Sequence, residues 1–328
     1  MSNPYFYSRP ILVAGGAGLI GNAVCRELID RSARQVVVLD TFQSSSSKLQ
    51  SLPAGVIPFH GSVLDRDILR KIKKLYRPAV VFHFAGVVGK KNIINKPRDT
   101  VLVNTQGTAN LLDILSDIQK PTFVFSSAGE IYGSGGPHSE LGASTIGPLS
   151  THRWSYATSK LAGEAVVLGT SIRGARIIVR PFSVVGPAQR GTVIPTFVRN
   201  ALNGEDLVVY DDGEMTRCFV HVDDVARGIV DLAELWETGI YNIGKDTPTD
   251  INGLASIVLE LTSSKSKVVH KPYEEVFGNR FDVYKDLIPD LSRIKQRIGY
   301  SPKRTIIEIV HDVIESVTDE MEMRKRSR

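Results

Sequence analysis

The chain has 328 residues, 42% apolar and 23% charged, with a net charge of +5 from 40 basic and 35 acidic side chains, which is ordinary for a globular protein of one large α/β unit plus an appended lobe. No apolar run approaches the roughly 18 residues of a membrane span, the start MSNPYFYSRP lacks a secretion-signal pattern, and two cysteines, Cys25 and Cys218, exclude a disulfide framework or a tetrahedral zinc site. We therefore expect a cytoplasmic protein with no metal; the basic residues Arg324, Lys325, Arg326 and Arg328 read as a solvated tail, and nothing suggests a nucleic-acid partner.

Taken in order, the apolar runs ILVAG at 11–15, QVVVLD at 35–40, GVIPF at 55–59, AVVFHFAG at 79–86, PTFVFSS at 121–127 and ARIIVR at 175–180 are apolar throughout, as strands covered on both faces should be. Helical patterns lie between them, such as IGNAVCRELIDRS at 20–32 and NTQGTANLLDILSDI at 104–118. The alternation predicts a Rossmann-type, doubly wound parallel sheet over residues 1–180. A return segment at about 216–245 rejoins it through FVHVDDVARGIVDLA and IYNIG. Residues 181–215 and 246–328, with shorter segments and more glycine and proline, predict a smaller mixed α/β substrate lobe.

The first strand runs into GGAGLIG. Gly15 permits a tight turn, Gly18 lets the backbone approach a pyrophosphate, and Gly21 lets the next helix pack on the strand, with the helix N-terminus aimed at the anion. Asp40, about 20 residues on at the end of QVVVLD, can accept hydrogen bonds from both adenosine ribose hydroxyls. It would repel a 2′-phosphate, so the expected cofactor is NAD rather than NADP.

Tyr156 and Lys160 in WSYATSKLAGE stand four apart and share a helix face. A free phenol, with a pKa of about 10, is a poor base at neutral pH. An ammonium beside it and a positive nicotinamide ring favour the phenolate, which can then take a sugar hydroxyl proton as that carbon is oxidised.

These marks, with GSVLD at 61–65, HFAG at 83–86, NTQGT at 104–108, SSAGEIYG at 126–133, RPFSVVGP at 180–187, VVYDDGEMTRCFVHVDDVA at 208–226, YNIG at 241–244 and the late RFDVYKDLIPDLSRIKQRIGYSP, make the chain resemble the extended short-chain dehydrogenase/reductases. The resemblance is to the NAD-dependent epimerase/dehydratase family that acts on nucleotide sugars. It implies that the amides of Leu19 and Ile20 face the pyrophosphate and that Ser44 or Ser45 bonds near the adenosine. Ser62, where the family usually has aspartate, and Val63 would border the adenine, while Phe84, Ala85 and Gly86 pass along the cofactor with Asn104 behind and Pro181 nearby. Lys160 would hold the nicotinamide ribose as well as tune Tyr156.

The family's proton-handling serine or threonine falls at Ala128, which cannot bridge substrate and phenol. Ser127 can substitute if the strand end bulges. Glu130 stands where dehydratases and UDP-glucuronate decarboxylases carry glutamate, but Gly129 replaces the dehydratase aspartate. For the substrate, the resemblance implies diphosphate contacts from Arg217 and Arg280, nucleobase stacking on Tyr210, and Ser183 in place of the usual asparagine.

The activity expected first is therefore a nucleotide-sugar epimerase, inverting C4 of a UDP-hexose through a transient 4-keto intermediate. The alternatives are a nucleotide-sugar dehydratase or UDP-glucuronate decarboxylase, and an NAD-binding module with weak or lost catalysis. The helices at 104–118 and 154–169 are, by resemblance, a homodimer surface.

Overall fold

The computed structural model describes residues 5–43, 51–151, 153–277 and 285–326. Its first part alternates strand and helix: β1 (Ile11–Ala14), α1 (Leu19–Asp30), β2 (Val36–Asp40), β3 (Val56–His60), α2 (Arg66–Tyr76), β4 (Val80–His83), α3 (Lys90–Asn95), α4 (Pro97–Asp113) and β5 (Thr122–Ser126). A short 3-10 turn at Gly129–Tyr132 and β6 (Gly135–His138) precede α5 (Arg153–Gly169) and β7 (Ala175–Pro181). Later come β8 (Val184–Val185), α6 (Val193–Asn203), β9 (Leu207–Tyr210), β10 (Thr216–Arg217), β11 (Val220–His221), α7 (Val222–Glu234) and β12 (Gly239–Ile243).

Seven strands form one sheet in the order β3-β2-β1-β4-β5-β7-β12, every pair parallel. This is the Rossmann-type fold expected from the apolar runs. Strand alternation divides the core between its two faces. Leu12, Val37, Val81, Phe123, Phe125 and Ile178 pack with Leu69 of α2, Leu111 of α4 and Val167 of α5. Ile11, Val13, Val38, Phe82, Val124 and Val179 pack with Val24 and Leu28 of α1 and Val225 and Ile229 of α7. Burial on both sides is what makes β1, β2, β4 and β5 apolar along most of their length; β3, expected from GVIPF to be covered on both faces, is instead a half-exposed edge strand. Strand order reverses between β1 and β4, the place where such sheets open a crevice at their carboxyl ends.

The last part of the chain holds β13 (Thr249–Asp250), α8 (Ile251–Thr262), β14 (Val268–Lys271), α9 (Tyr273–Phe277), β15 (Leu287–Pro289), α10 (Ser292–Ile298) and α11 (Ile306–Arg326). A separate apolar cluster joins α6, β9, α8 and α11 through Ile194, Phe197, Leu207, Leu254, Val258, Ile309 and Val313. The remaining strands form two-stranded pairs: β9 with β14, β10 with β13, β8 with β11, and β6 with β15. Helix α4 starts seven residues before NTQGT because Pro97, lacking an N–H, occupies its first turn. Helix α1 stops at Asp30, before the sequence pattern ends, because Ser32 turns left-handed at φ 64°.

Candidate active site

The turn after β1 is built on glycine. Gly15 has φ 81°, and a Cβ there would lie 2.4 Å from the backbone nitrogen of Ala85. A Cβ on Gly21 would lie 2.2 Å from the Gly15 carbonyl oxygen. Phe84 and Ala85, just past β4, both donate to the Ala14 carbonyl at 2.8 Å, so the Phe84–Gly86 segment runs beside the turn. Helix α1 begins with Leu19 and Ile20 behind Gly18, and no side chain caps it. By contrast, Asp65 caps α2 through the amides of Asp67 and Ile68. Uncapped amides beside a backbone cradle with no room for side chains suit a pyrophosphate.

Asp40 ends β2, and its carboxylate stitches the turn. Oδ2 accepts from Ala17 N at 3.0 Å and Oδ1 from Phe42 N at 2.8 Å. Each oxygen keeps a second lone pair for a ribose hydroxyl. Val63 is buried against Gly107, and the Ser62 hydroxyl accepts from Leu64 N at 3.2 Å. Ser44 and Ser45 lie outside the described residues. Pro181 closes β7.

Lys160 reaches inward from α5. Its Nζ donates to the Ser126 carbonyl at 2.8 Å and sits 5.8 Å from the centroid of the Tyr156 ring. Burial lowers its pKa from 10.5 to about 8, and the charge of Glu164 pushes it back up. A Cβ on Gly86 would lie 2.7 Å from Asn104 Oδ1 and 3.5 Å from Lys160 Nζ. The Phe84–Gly86 segment, α4 and α5 therefore meet at one point. Asn104 donates to Ser159 Oγ at 2.9 Å, and Ser159 donates to the Tyr156 carbonyl at 2.7 Å. His83, at the end of β4, pairs through Nε2 with Thr108 Oγ1 at 3.0 Å. Burial, with Lys160 adding to it, lowers its pKa from 6.5 to about 3. Sequence reasoning missed Ser159, His83 and Glu164, since their roles depend on which strand lies under which helix.

The strand end at Ser127 does not bulge. The β5–β7 register is unbroken, and Ser127 N continues the ladder to Val179 O at 2.8 Å. Alternation alone puts Ser127 on the face of Phe123 and Phe125, the face α5 covers. Its hydroxyl is buried with no hydrogen-bond partner among the described residues. Ala128 is extended and buried. Glu130 is half-buried in the adjoining 3-10 turn.

The candidate substrate residues sit on separate elements. Ser183 lies between β7 and β8 with φ 36°, a left-handed conformation that asparagine tolerates better. Tyr210 ends β9, edge-on to Tyr273 at 5.5 Å. Arg217 on β10 donates to the carbonyls of Thr216 at 2.6 Å and Lys285 at 3.0 Å. Arg280 lies outside the described residues. Among the described residues no helix is long and apolar enough to cross a membrane.

Residues 11–244 match the model of the NAD dependent epimerase/dehydratase family. The chain belongs to that family. Its cofactor is NAD, as Asp40 led us to expect, and the cradle at Gly15–Gly21 with the uncapped start of α1 fits it. Among curated relatives, the UDP-N-acetyl-alpha-D-glucosaminuronate decarboxylase of Bacillus cytotoxicus is 35% identical, over 89% of this chain and 92% of that protein. Among solved structures, the UDP-glucose 4-epimerase of Thermotoga maritima with UDP-glucose superposes with a TM-score of 0.83 at 26% identity, covering 95% of this chain and 99% of that one. The UDP-glucose 4-epimerase of Thermus thermophilus in complex with NAD gives a TM-score of 0.81 at 25% identity, covering 94% and 99%.

Proposed function

We propose that this protein oxidises C4 of a UDP-uronic acid and releases the C6 carboxylate as carbon dioxide, with UDP-N-acetylglucosaminuronic acid the first substrate to test. The redox half rests on the meeting of Gly86, Asn104 and Lys160 beside Tyr156. The 35% identity to a decarboxylase of such a sugar, over nearly the full length of both chains, carries the choice of decarboxylation as the step after oxidation.

NAD, when bound, supplies the reversible hydride acceptor. The chain's own residues do the rest. Tyr156, with the Lys160 ammonium near its ring, takes the C4 hydroxyl proton. Ser127, buried on the same sheet face, passes that proton between sugar and phenol in place of the hydroxyl missing at Ala128. A C4 ketone is β to the C6 carboxylate, so the C5–C6 bond breaks with its electron pair delocalised into the C4 enolate, and carbon dioxide departs. Glu130 manages the proton added at C5. The lobe of 181–215 and 246–328 holds the nucleotide through Ser183, Tyr210, Arg217 and Arg280, and α4 and α5 form a homodimer surface.

The second reading is C4 epimerisation, favoured by the overlay on the Thermotoga maritima epimerase. The purified protein incubated with UDP-N-acetylglucosaminuronic acid, UDP-glucuronic acid and UDP-glucose separates the readings. A product lighter by carbon dioxide from a uronic acid supports decarboxylation, and an isomer of unchanged mass supports epimerisation. No turnover of any of the three supports a module without catalysis.

A further inference from the structure

Four stretches that carry the family resemblance, SSAGEIYG, KLAGE, RPFSVVGP and YNIG, meet in one buried polar network. Glu164, one turn beyond Lys160 on α5, has both carboxylate oxygens held by Arg180 of β7, at 2.9 Å from Nε and 2.7 Å from Nη2. The remaining arm of Arg180 donates to the Tyr132 hydroxyl at 2.6 Å and to the Glu140 carbonyl at 3.2 Å. Tyr132 donates to Asn242 Oδ1 at 2.8 Å, and Asn242 N donates back to Glu140 Oε1 at 2.8 Å. All five residues are less than a tenth exposed.

We propose that Glu164, clamped by Arg180, is a positioning residue that keeps the buried Lys160 side chain an ammonium beside Tyr156. Stability alone is a poor reason for such a clamp, because buried ion pairs are commonly replaceable by apolar residues without loss. Its geometry serves the lysine instead. Residues four apart on a helix are neighbours, and the fork fixes the Glu164 carboxylate one turn from Lys160. Because the fork uses both oxygens, Glu164 acts on the ammonium through its field, leaving Nζ to bond Ser126 O at 2.8 Å. Anchoring through Tyr132 and Asn242 ties this arrangement to the 3-10 turn that carries Glu130 and to edge strand β12.

Among the described residues, the groups around Lys160 leave the task to Glu164, whose partner Arg180 on β7 is the other charge beside it. From β4 comes His83, whose burial keeps it neutral. Asn104 of α4 is uncharged, β5 offers the Ser126 carbonyl and the Phe125 ring, and α5 itself presents Tyr156 and Glu164. Burial works against the charged lysine, and Glu164 is the carboxylate that opposes it.

This inference rests on the reading that Lys160 serves Tyr156, so its test reads the lysine directly in the cofactor-free protein and needs no substrate. With lysine labelled at Cε by carbon-13, the Lys160 resonance, assigned by its loss in Lys160→Arg, is titrated in the wild type and in Glu164→Gln. The amide keeps the shape and one acceptor for Arg180. We expect the titration midpoint to fall by about one pH unit in Glu164→Gln, and the alkaline limb of the activity profile to move the same way. Should Glu164→Gln fail to fold, Glu164→Gln/Arg180→Met is titrated in its place; it removes the buried cation along with the carboxylate, so a smaller fall of the midpoint in the same direction is expected. A folded variant whose Lys160 midpoint is unchanged overturns the proposal, whatever the substrate proves to be.

Discussion

Asn104 on α4 and Ser159 on α5 share a buried hydrogen bond of 2.9 Å, and Ser159 passes it on to the backbone carbonyl of Tyr156 at 2.7 Å. The same Asn104 accepts from Val87 N at 3.3 Å through Oδ1. One side chain thus fixes the segment after β4 against the helix turn that carries the Tyr156 phenol. Asn104→Ala leaves the Val87 amide without this acceptor, which should cost about 1–3 kcal/mol of stability. It should also lower kcat by about 10–100-fold, since a misplacement of an ångström is felt at that scale. Thermal melts and initial rates at saturating NAD check both, and an unchanged kcat would remove Asn104 from the site.

The glycines of the first turn differ in what they tolerate. A methyl at Gly21 would meet the Gly15 carbonyl oxygen at 2.2 Å, whereas one at Gly18 meets that oxygen only at 3.2 Å. Gly21→Ala should therefore destabilise the free protein by about 2–4 kcal/mol and Gly18→Ala by about 1 kcal/mol or less. Denaturant unfolding without cofactor separates the two. Equal losses would contradict the packing described for this turn.

Lys160 is held at a cost. Its pKa in the folded protein, about 8, lies below the ordinary 10.5, so between those values the unfolded chain binds a proton that the folded one does not. Stability contributed by this site therefore rises with pH across that window, and the penalty is fully present below about pH 8. Lys160→Met should raise stability at pH 7 by about 1–3 kcal/mol while abolishing turnover. Unfolding measured from pH 7 to pH 10 should show a rise in the wild type that is missing from the variant. A less stable Lys160→Met protein would mean the ammonium is better satisfied than its surroundings indicate.

His83 works at the acid end. Its folded pKa, about 3, lies below the ordinary 6.5, so on acidification the unfolded chain takes up the proton first and stability falls from about pH 6.5 downward. The loss should reach about 2 kcal/mol by pH 5. His83→Gln keeps a partner for Thr108 and should flatten that fall. An acid dependence identical to the wild type would assign the loss to other groups.

Much of the fold and part of the candidate site were legible in the sequence. The central strands β1, β2, β4 and β5 are shielded on both faces and are apolar along most of their length, which a linear reading detects, whereas edge strand β3 is half-exposed. The two-residue pairs β8–β11 and β10–β13 carry no such pattern, because distant segments define them. Tyr156 and Lys160 were visible because helix spacing puts them together. Glu164 and Arg180 are 16 residues apart on a helix and the next strand, so only their packing reveals the pair. Asp40 was read for its ribose-binding geometry, while its bonds to Ala17 and Phe42 depend on how the turn folds back over β2. Ser127 reaches the face under α5 by simple alternation, without the bulge its sequence context suggested.

The most direct test of decarboxylation through Tyr156 measures carbon dioxide released from a UDP-uronic acid labelled at its C6 carboxylate, with the wild type and Tyr156→Phe compared side by side in the presence of NAD. We predict release by the wild type and a fall of about 1,000-fold or more when the phenolic oxygen is removed. A wild type that returns only an epimer with its carboxylate intact, or a Tyr156→Phe variant that releases carbon dioxide at the wild-type rate, would contradict it.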